Sequence, residues 1–369
     1  MLTKEEEELL ENEETRDCMK IVLALARVFD AEKLVKISSA HISGVSYDNI
    51  GDEGLEWLRT IKGRVSVRTT LNPAGMDLER WREMGIEEKF YRKQMEIIEI
   101  FKNLEVEITL TCTPYYIHKP KFGEHLAWAE SSAVVYANSV IGARTNRESG
   151  ISALASAITG RTPYYGLHIK ENRAPTVVVK ATGDLSIVGY KAGLELPGEI
   201  PYFIFDRRVS MDELKLLSAS LAASGNIAMF HAEEITPEWR DFEKPVEKVE
   251  IGGKIEKSCE AQLIAIGCPH CSKEELSEIL RLIAGRRVKR ELWIFTSRSV
   301  AEDSKEIIGK LEELGAKVFK DTCMVVSPAS ERFDCVMVNS GKALEYLPKK
   351  RGIEVAFGDL KSCIETAVN

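Results

Sequence analysis

The sequence predicts an α/β protein with mainly parallel sheets, and two observations support that prediction. Short apolar runs of strand length alternate with longer segments of helical periodicity. In the last third of the chain the alternation becomes regular. There the pattern predicts strand 262–267, helix 273–284, strand 291–296, helix 300–314, and strands 317–320 and 335–338. A βαβαβ unit of this kind has the size of a domain and requires parallel strands.

The first two-thirds of the chain shows the same alternation less regularly. Thr3 and Glu6 form a capping-box pattern, which predicts a helix that continues to Val28. The stretch 234–248 is rich in Glu, Lys and Pro, and we interpret it as a linker. We therefore expect an N-terminal α/β region over 1–240, formed by two intertwined domains, and a C-terminal domain over 249–369. Further strands are predicted at 34–37, 65–70 and 106–111, and further helices at 87–102, 151–158 and 211–223.

The composition narrows the function classes. A chain of 369 residues, 44% of them hydrophobic and 29% charged, can bury two or three cores. The net charge of −8 and the lack of a basic stripe argue against nucleic acid as a partner. No apolar run reaches about 18 residues, and the acidic start lacks the pattern of a secretion signal. We therefore expect no membrane partner and a cytoplasmic location.

Three of the eight cysteines occupy comparable positions. Cys268 follows a predicted strand and precedes a helix, Cys112 follows the strand at 106–111, and Cys323 follows the strand at 317–320. Ligand sites of open α/β sheets form outside the carboxyl ends of the strands. The three thiolates could therefore converge on an iron–sulfur cluster or a zinc ion. The alternative is that all three are ordinary buried cysteines.

The other five cysteines carry weaker signals. Cys271 lies close behind Cys268, and the two could bind a metal as a pair. Eight cysteines are too sparse in a chain of this length for a disulfide scaffold. We interpret the remaining four as structural residues: Cys18, Cys259, Cys335 and Cys363.

Three basic residues could contact an anionic group. Arg144 and Arg147 carry planar guanidinium groups that fit a carboxylate or a phosphate, although either could instead form an ion pair within the protein. Lys342 follows the predicted strand 335–338 in a Ser-Gly-Lys sequence that predicts a helix start. Backbone donors and a lysine at such a start could hold a phosphate or carboxylate, and a plain helix start is the alternative.

Seven short segments stand out along the chain: 43–46 (SGVS), 70–75 (TLNPAG), 111–115 (TCTPY), 128–133 (WAESSA), 142–147 (GARTNR), 267–270 (GCPH) and 321–323 (DTC). Taken together and in this order, they resemble the large subunit of the aconitase X family. The resemblance covers nearly the whole chain. It implies an aconitase-like fold with three α/β domains around a central cleft, and a separate small subunit as a fourth, swivelling domain.

The resemblance also implies a function. Members of this family are hydro-lyases that use a [4Fe–4S] cluster, and the matching ligands here are Cys112, Cys268 and Cys323, with one iron left open. The implied reaction converts (R)-5-phosphomevalonate to trans-anhydromevalonate 5-phosphate in the archaeal mevalonate pathway. The small subunit is implied to carry a serine as the catalytic base. The alternatives are the dehydration of cis-3-hydroxy-L-proline and a non-catalytic iron–sulfur or zinc sensor.

The resemblance assigns roles to further residues. It implies that Glu130 and Ser131 take part in catalysis. To these we add the three basic residues above, because a phosphorylated substrate requires cationic or donor-rich contacts. The implied substrate contacts are Gly44, Val45, Ser46, Asn72 and Pro73, and the added candidates are Arg144, Arg147 and Lys342.

Overall fold

The computed structural model describes residues 2–256 and 258–369. The α-helices are α1 (Lys4–Glu11), α2 (Arg16–Val28), α3 (Tyr47–Thr60), α4 (Glu88–Asn103), α5 (Ser131–Tyr136), α6 (Gly150–Thr159), α7 (Leu185–Glu195), α8 (Met211–Gly225), α9 (Lys273–Ile283), α10 (Arg298–Asp303), α11 (Lys305–Glu313), α12 (Gly341–Tyr346) and α13 (Leu360–Val368). Among the helices of these residues, none has both the length and the apolar character that a membrane-spanning helix needs.

The strands form one antiparallel pair and three parallel sheets, which confirms the predicted α/β class. The parallel sheets have the orders β3-β2-β4, β8-β7-β6-β9 and β12-β11-β10-β13-β14, and β1 pairs with β5. The strands are β1 (Leu34–Lys36), β2 (Ser39–Ile42), β3 (Arg68–Leu71), β4 (Leu126–Trp128), β5 (Arg161–Pro163), β6 (Val177–Gly183), β7 (Pro201–Phe205), β8 (His231–Ala232), β9 (Lys248–Gly253), β10 (Leu263–Cys271), β11 (Glu291–Thr296), β12 (Lys317–Lys320), β13 (Cys335–Val338) and β14 (Glu354–Phe357).

The five-stranded sheet shows why continuous apolar runs form its strands. Side chains alternate between the two faces of a strand, and both faces of this sheet are covered. Leu263 and Ala265 of β10 belong to the hydrophobic cluster on one face, whereas Ile264 and Ile266 belong to the cluster on the other. Helix α9 then starts at a capping box formed by Ser272 and Glu275, as predicted.

Two predicted helices are each interrupted. The N-terminal helix is predicted to run to Val28 without a break, but α1 ends at Glu11 and α2 begins at Arg16. The predicted helix 300–314 is split at Ser304 into α10 and α11.

The predicted strand at 106–111 is wrong. This segment runs beside β3, but it forms only an isolated bridge, between Glu107 and Thr70. The Thr109 hydroxyl lies 2.9 Å from the backbone nitrogen of Leu71 and 3.1 Å from its carbonyl oxygen, where a backbone group of a paired strand would lie. Leu110 is left-handed, with φ 44°, which ends regular pairing before Cys112.

The expected start of the C-terminal domain at residue 249 does not match the strand pairing. Strand β9 pairs with β6 in the four-stranded sheet, so 248–253 belongs to the middle of the molecule. The five-stranded sheet begins only at Leu263. Residues 234–248 connect β8 to β9 within the four-stranded sheet, so they do not separate two domains.

Candidate active site

The candidate site lies where the carboxyl ends of two parallel sheets meet. Strands β2, β3 and β4 end at one side, and strands β10, β12 and β13 end at the other. Backbone and side-chain hydrogen bonds join the two sides. Ala74 N–H donates to the Asp321 carbonyl at 2.8 Å, and the Ser46 hydroxyl donates to the Val326 carbonyl at 3.4 Å. The residues that follow these strand ends include most of the predicted site: Gly44, Val45, Ser46, Asn72, Pro73, Glu130, Ser131, Cys323 and Lys342. Cys268 lies within β10, in its irregular last part after the regular pairing with β11 ends at Ile266, so the strand runs past its predicted end at 267.

Glu130 is a buried carboxylate at the start of α5. Its Oε1 accepts hydrogen bonds from the Lys342 ammonium and from the Ser132 hydroxyl, the latter at 2.9 Å, and its Oε2 accepts one from Asn72 Nδ2 at 2.9 Å. Burial alone raises the pKa of this carboxyl. The Lys342 charge and the hydrogen bonds outweigh burial and lower the pKa to about 2, so Glu130 is ionised at neutral pH.

His41 is linked to this carboxylate through Asn72. Its Nε2 lies 3.4 Å from Asn72 Oδ1 and its Nδ1 lies 2.8 Å from Thr70 Oγ1. Burial lowers the pKa of His41 to about 4, so the ring is neutral at pH 7. Because Asn72 donates to Glu130 through Nδ2, its Oδ1 is the acceptor for His41 N–H. A chain of hydrogen bonds therefore fixes the orientation of the carboxylate.

Cys268 and Cys323 are neighbouring thiols. Both are buried in the same hydrophobic cluster of the five-stranded sheet. The Cys268 thiol is the main reason that the pKa of Cys323 is lowered to about 7, and the backbone N–H groups of Val325 and Val326 act in the same direction. The Cys323 thiol and burial both raise the pKa of Cys268.

Cys112 is joined to the other two cysteines through His270. Its sulfur accepts the His270 backbone N–H at 3.2 Å. The His270 ring donates from Nε2 to the Thr322 carbonyl at 2.8 Å, beside Cys323, and its Nδ1 lies 3.2 Å from Thr111 Oγ1, beside Cys112. Burial lowers the pKa of His270 to about 4, which matches a neutral ring with one donor and one acceptor. His270 thus ties together all three cysteine segments.

Cys271 is separated from this group. Its side chain packs in the hydrophobic cluster on the opposite face of the five-stranded sheet from Cys268. Burial raises the pKa of Cys271 well above its usual value. An inert, apolar setting of this kind is typical of a structural cysteine.

The three cysteines are a suitable donor set for a multi-iron cluster. All three are buried, backbone N–H groups lie near the Cys112 and Cys323 sulfurs, and the Lys342 charge lowers the pKa of each thiol against the effect of burial. Across 2–256 and 258–369, no group of three or more His, Cys, Asp or Glu side chains is arranged to hold a metal ion. Each cysteine of a cluster binds a different iron, so three sulfurs need not converge on one point as the ligands of a zinc ion do.

Gln94 is a site residue that the sequence reasoning missed. It is fully buried on α4, where its Nε2 donates to the Val45 carbonyl at 3.0 Å. Its Oε1 accepts the backbone N–H groups of Tyr47 at 3.1 Å and Gly75 at 3.0 Å. One side chain therefore holds the loops after β2 and β3 together. Buried glutamine within a helix was the available signal, but the partners cannot be identified from the sequence.

The structure does not bring Arg144 and Arg147 to the site. Arg144 donates to the His168 carbonyl at 3.0 Å. Arg147 is exposed and donates to Asn226 Oδ1 at 2.6 Å, at the end of α8. Both guanidinium groups bind acceptors between residues 168 and 226, away from the candidate site, so neither is a candidate for phosphate binding there.

Cys259 and Cys335, which we interpret from the sequence as structural residues, are paired with each other. They form a disulfide with a Cα–Cα distance of 6.2 Å. The bond joins the segment before β10 to the first residue of β13. It therefore lies at the amino-terminal edge of the sheet, away from the site residues that follow the carboxyl ends.

Comparisons with known proteins agree with this geometry. Sequence profiles for the first, second and third domains of aconitase X match residues 1–171, 174–260 and 261–369. The crystal structure of Thermococcus kodakaraensis aconitase X in its holo-form superimposes with a TM-score of 0.91 at 38% identity, covering 100% of both chains.

Curated relatives carry two names. The phosphomevalonate dehydratase large subunit of Methanosarcina mazei is 47% identical over 99% of this chain and 96% of its own length. That of Methanocaldococcus jannaschii is 45% identical over 99% of both. The cis-3-hydroxy-L-proline dehydratase of Pseudomonas aeruginosa is 33% identical over 96% of this chain and 67% of its own length. With three matching domains, full-length relatives and the same fold, this chain belongs to the aconitase X family.

Proposed function

We propose that this chain is the large subunit of a hydro-lyase that dehydrates (R)-5-phosphomevalonate to trans-anhydromevalonate 5-phosphate. The observation that carries the proposal is the buried pair of Glu130 and Lys342, which faces three cysteines at the junction of two parallel sheets. Relatives with 40–47% identity over almost the full chain bear the corresponding name. Relatives that dehydrate cis-3-hydroxy-L-proline, at 32–33% identity, are more distant.

We propose Cys112, Cys268 and Cys323 as the ligands of a [4Fe–4S] cluster with one open iron. Such a cluster, when bound, supplies a Lewis acid for a hydroxyl leaving group. The lowered pKa of Cys323 and the backbone N–H groups near the Cys112 and Cys323 sulfurs support this assignment. The position of Cys271 in a separate apolar cluster supports its exclusion.

The residues of the chain itself supply binding and orientation. Among the described residues, Glu130 Oε2 accepts a hydrogen bond from Asn72 alone, so it retains a lone pair for a substrate hydroxyl or a water. The Lys342 ammonium has three protons and donates one to Glu130, which leaves donors for a substrate oxygen. Because Glu130 is ionised, it accepts a proton or a hydrogen bond and does not act as an acid in the resting site.

The partner and location follow from the same proposal. The name "large subunit" of the relatives supports a separate small subunit, for which we propose the swivelling domain with the serine base. Ser131 would contact substrate beside Glu130 at the start of α5. A cytoplasmic location remains part of the proposal.

The test is a turnover assay on the two-subunit complex. The chain and its small subunit are reconstituted anaerobically with iron and sulfide and supplied with (R)-5-phosphomevalonate or cis-3-hydroxy-L-proline. We expect water loss from phosphomevalonate only. Turnover of cis-3-hydroxy-L-proline alone would show that this chain has the activity of the hydroxyproline dehydratases of the family. A loaded complex that is inert to both would contradict the proposed function.

A further inference from the structure

The proposed substrate carries a phosphate, and the site must provide a cation that is not already neutralised. Most basic residues around the two sheet edges have carboxylate partners. Lys342 pairs with Glu130 and Lys349 pairs with Glu345. Arg351 pairs with Asp48 at 2.8 Å and with Glu331 at 2.6 Å, and Arg298 pairs with Asp321. Such cations are already compensated and gain little from a further anion.

Lys350 is the exception in this region. Within the part of the chain that the structure describes, no carboxylate lies within 4.0 Å of its ammonium group. Its partner is a neutral amide, because Nζ donates to Asn49 Oδ1 at 2.6 Å. The Lys350 residue is exposed. Partial burial of its ammonium group and the neighbouring Arg351 lower its pKa, whereas Asp48 and Cys323 oppose the shift. Because its hydrogen-bond partner is a neutral amide, this cation can gain from binding an anion.

The position of Lys350 connects both sides of the site. It lies in the π-helical turn Leu347–Arg351 that follows α12, and such turns often occur at functional sites. Its neighbour Arg351 donates to the Val326 carbonyl at 2.9 Å, and Val326 also accepts from Ser46. Its partner Asn49 lies in the first turn of α3, directly after the loop 44–46. Lys350 therefore stands between this loop and the Cys323 segment.

The loop 44–46 leaves space for a ligand on this side. Gly44 is exposed and has a φ of 75°, and a Cβ placed on it would meet nothing within 4 Å. An apolar cavity of about 330 Å³ lies beside this loop; its wall includes Gly44, Trp57 and Phe101 and contains no Lys or Arg. That cavity is unsuitable for a phosphate, which has to be held by charge and by N–H donors.

From these observations we propose that Lys350 binds the phosphate group of the substrate, beside the loop 44–46. The inference rests on the proposed function and names the phosphate contact of that same site. The alternative is that Lys350 only tethers the π-helical turn to Asn49. Lys350→Gln separates the two roles, because it keeps a donor for Asn49 Oδ1 and removes the charge.

The experiment measures KM and kcat for phosphomevalonate, and competitive inhibition by inorganic phosphate, with the reconstituted two-subunit complex. Lys350→Gln should raise KM and the phosphate inhibition constant by about tenfold or more, with a smaller change in kcat. Lys350→Arg should restore most of the affinity. The matched control is Lys349→Gln, which removes an adjacent exposed lysine that pairs with the buried carboxylate of Glu345, and its KM and phosphate inhibition should match those of wild type.

Two results would overturn the inference, and the experiment distinguishes one from the other. If the wild-type complex turns over phosphomevalonate and Lys350→Gln keeps KM and phosphate inhibition within twofold, Lys350 is only a tether. If the wild-type complex does not act on phosphomevalonate, the proposed function fails and the phosphate contact falls with it. Iron content and melting temperature of each variant confirm that the comparison is between folded, loaded proteins, and Lys350→Met replaces the glutamine variant if that does not fold.

Discussion

This protein contains two buried lysine–glutamate pairs, which differ in the number of partners that contact each lysine ammonium group. The site pair is Lys342 with Glu130, and the support pair is Lys215 with Glu275. Lys215 is fully buried, donates to the His270 carbonyl at 3.1 Å and to Glu275, and forms a further ion pair with Asp212 at 3.3 Å. Among the described residues, Lys342 donates to Glu130 alone.

From this difference we assign one pair to structural support and the other to substrate binding. The Lys215 ammonium has three partners, so it holds α8 against the segment that carries Cys268 and His270. Within the described residues two Lys342 protons have no acceptor, so we assign them to a ligand. The carboxylates differ as well. Burial and the nearby Asp212 raise the pKa of Glu275, whereas the pKa of Glu130 is lowered to about 2.

The largest expected effect comes from Lys342→Met. It removes the donors that we assign to substrate and leaves the Glu130 carboxylate buried without a cation. Turnover by the reconstituted complex should fall by about 1000-fold, and the free energy of unfolding should fall by about 3 kcal/mol. Kinetics and chemical denaturation measure the two losses separately.

The double variant Lys342→Met/Glu130→Gln sharpens this result. It removes both charges, so most of the stability should return while turnover stays lost. Recovery of turnover in the double variant would show that the site pair has only a structural role.

Lys215→Met should show the opposite pattern. Two carboxylates and the His270 carbonyl lose their shared donor, so the protein should lose about 3 kcal/mol of stability. Cluster loading should fall because His270 orients Cys112 and Cys323, but the chains that load should turn over within about threefold of wild type. A variant with normal melting temperature and iron content but no turnover would contradict the assignment of Lys215 to support.

The disulfide should stabilise the protein without acting on the site. It closes a separation of 76 residues and lies at the sheet edge away from the two pairs. Cys259→Ser should lower stability by about 2–4 kcal/mol, visible as a lower melting temperature, with turnover unchanged. Cys18→Ser, at a buried free cysteine, serves as a control for the substitution itself.

The smallest expected effect is a pH dependence from the histidines beside each pair. His41 is linked to the site pair through Asn72, and the His270 carbonyl accepts a hydrogen bond from Lys215 of the support pair. Burial lowers the pKa of each histidine to about 4. Between pH 6.5 and 4 the unfolded chain binds protons that the folded chain does not, so stability falls as the pH falls. The loss is at most about 1.4 kcal/mol per pH unit for each histidine. His41→Gln should flatten the slope of stability against pH, and an unchanged slope would argue against a neutral buried His41.

The parts of the fold that follow from local patterns could be predicted from the sequence. Strands β11, β12 and β13 begin and end where predicted, because each is a short apolar run between clear breaks. The strand before Cys112 could not be excluded, because the Thr109 hydroxyl takes the place of a backbone group only in the folded chain. The disulfide joins residues 76 positions apart, and the cysteine count gave no sign of it.

The candidate site also has a part that could be predicted from the sequence and a part that could not. The positions of Cys268 and Cys323 follow from the rule that parallel strands share a carboxyl edge. His41, Gln94 and His270 were missed because they are neutral polar residues without a periodic pattern. Their partners lie in other segments of the chain and are recognised only once the sheets are assembled.

The most direct test of the account compares Cys268→Ser with Cys271→Ser after anaerobic reconstitution with iron and sulfide. The two cysteines are three residues apart, and only Cys268 packs with Cys323. The account predicts about four iron atoms per chain, with iron–sulfur absorbance, in wild type and in Cys271→Ser, and loss of both in Cys268→Ser. A cluster that survives in Cys268→Ser and disappears in Cys271→Ser would contradict the proposed metal centre.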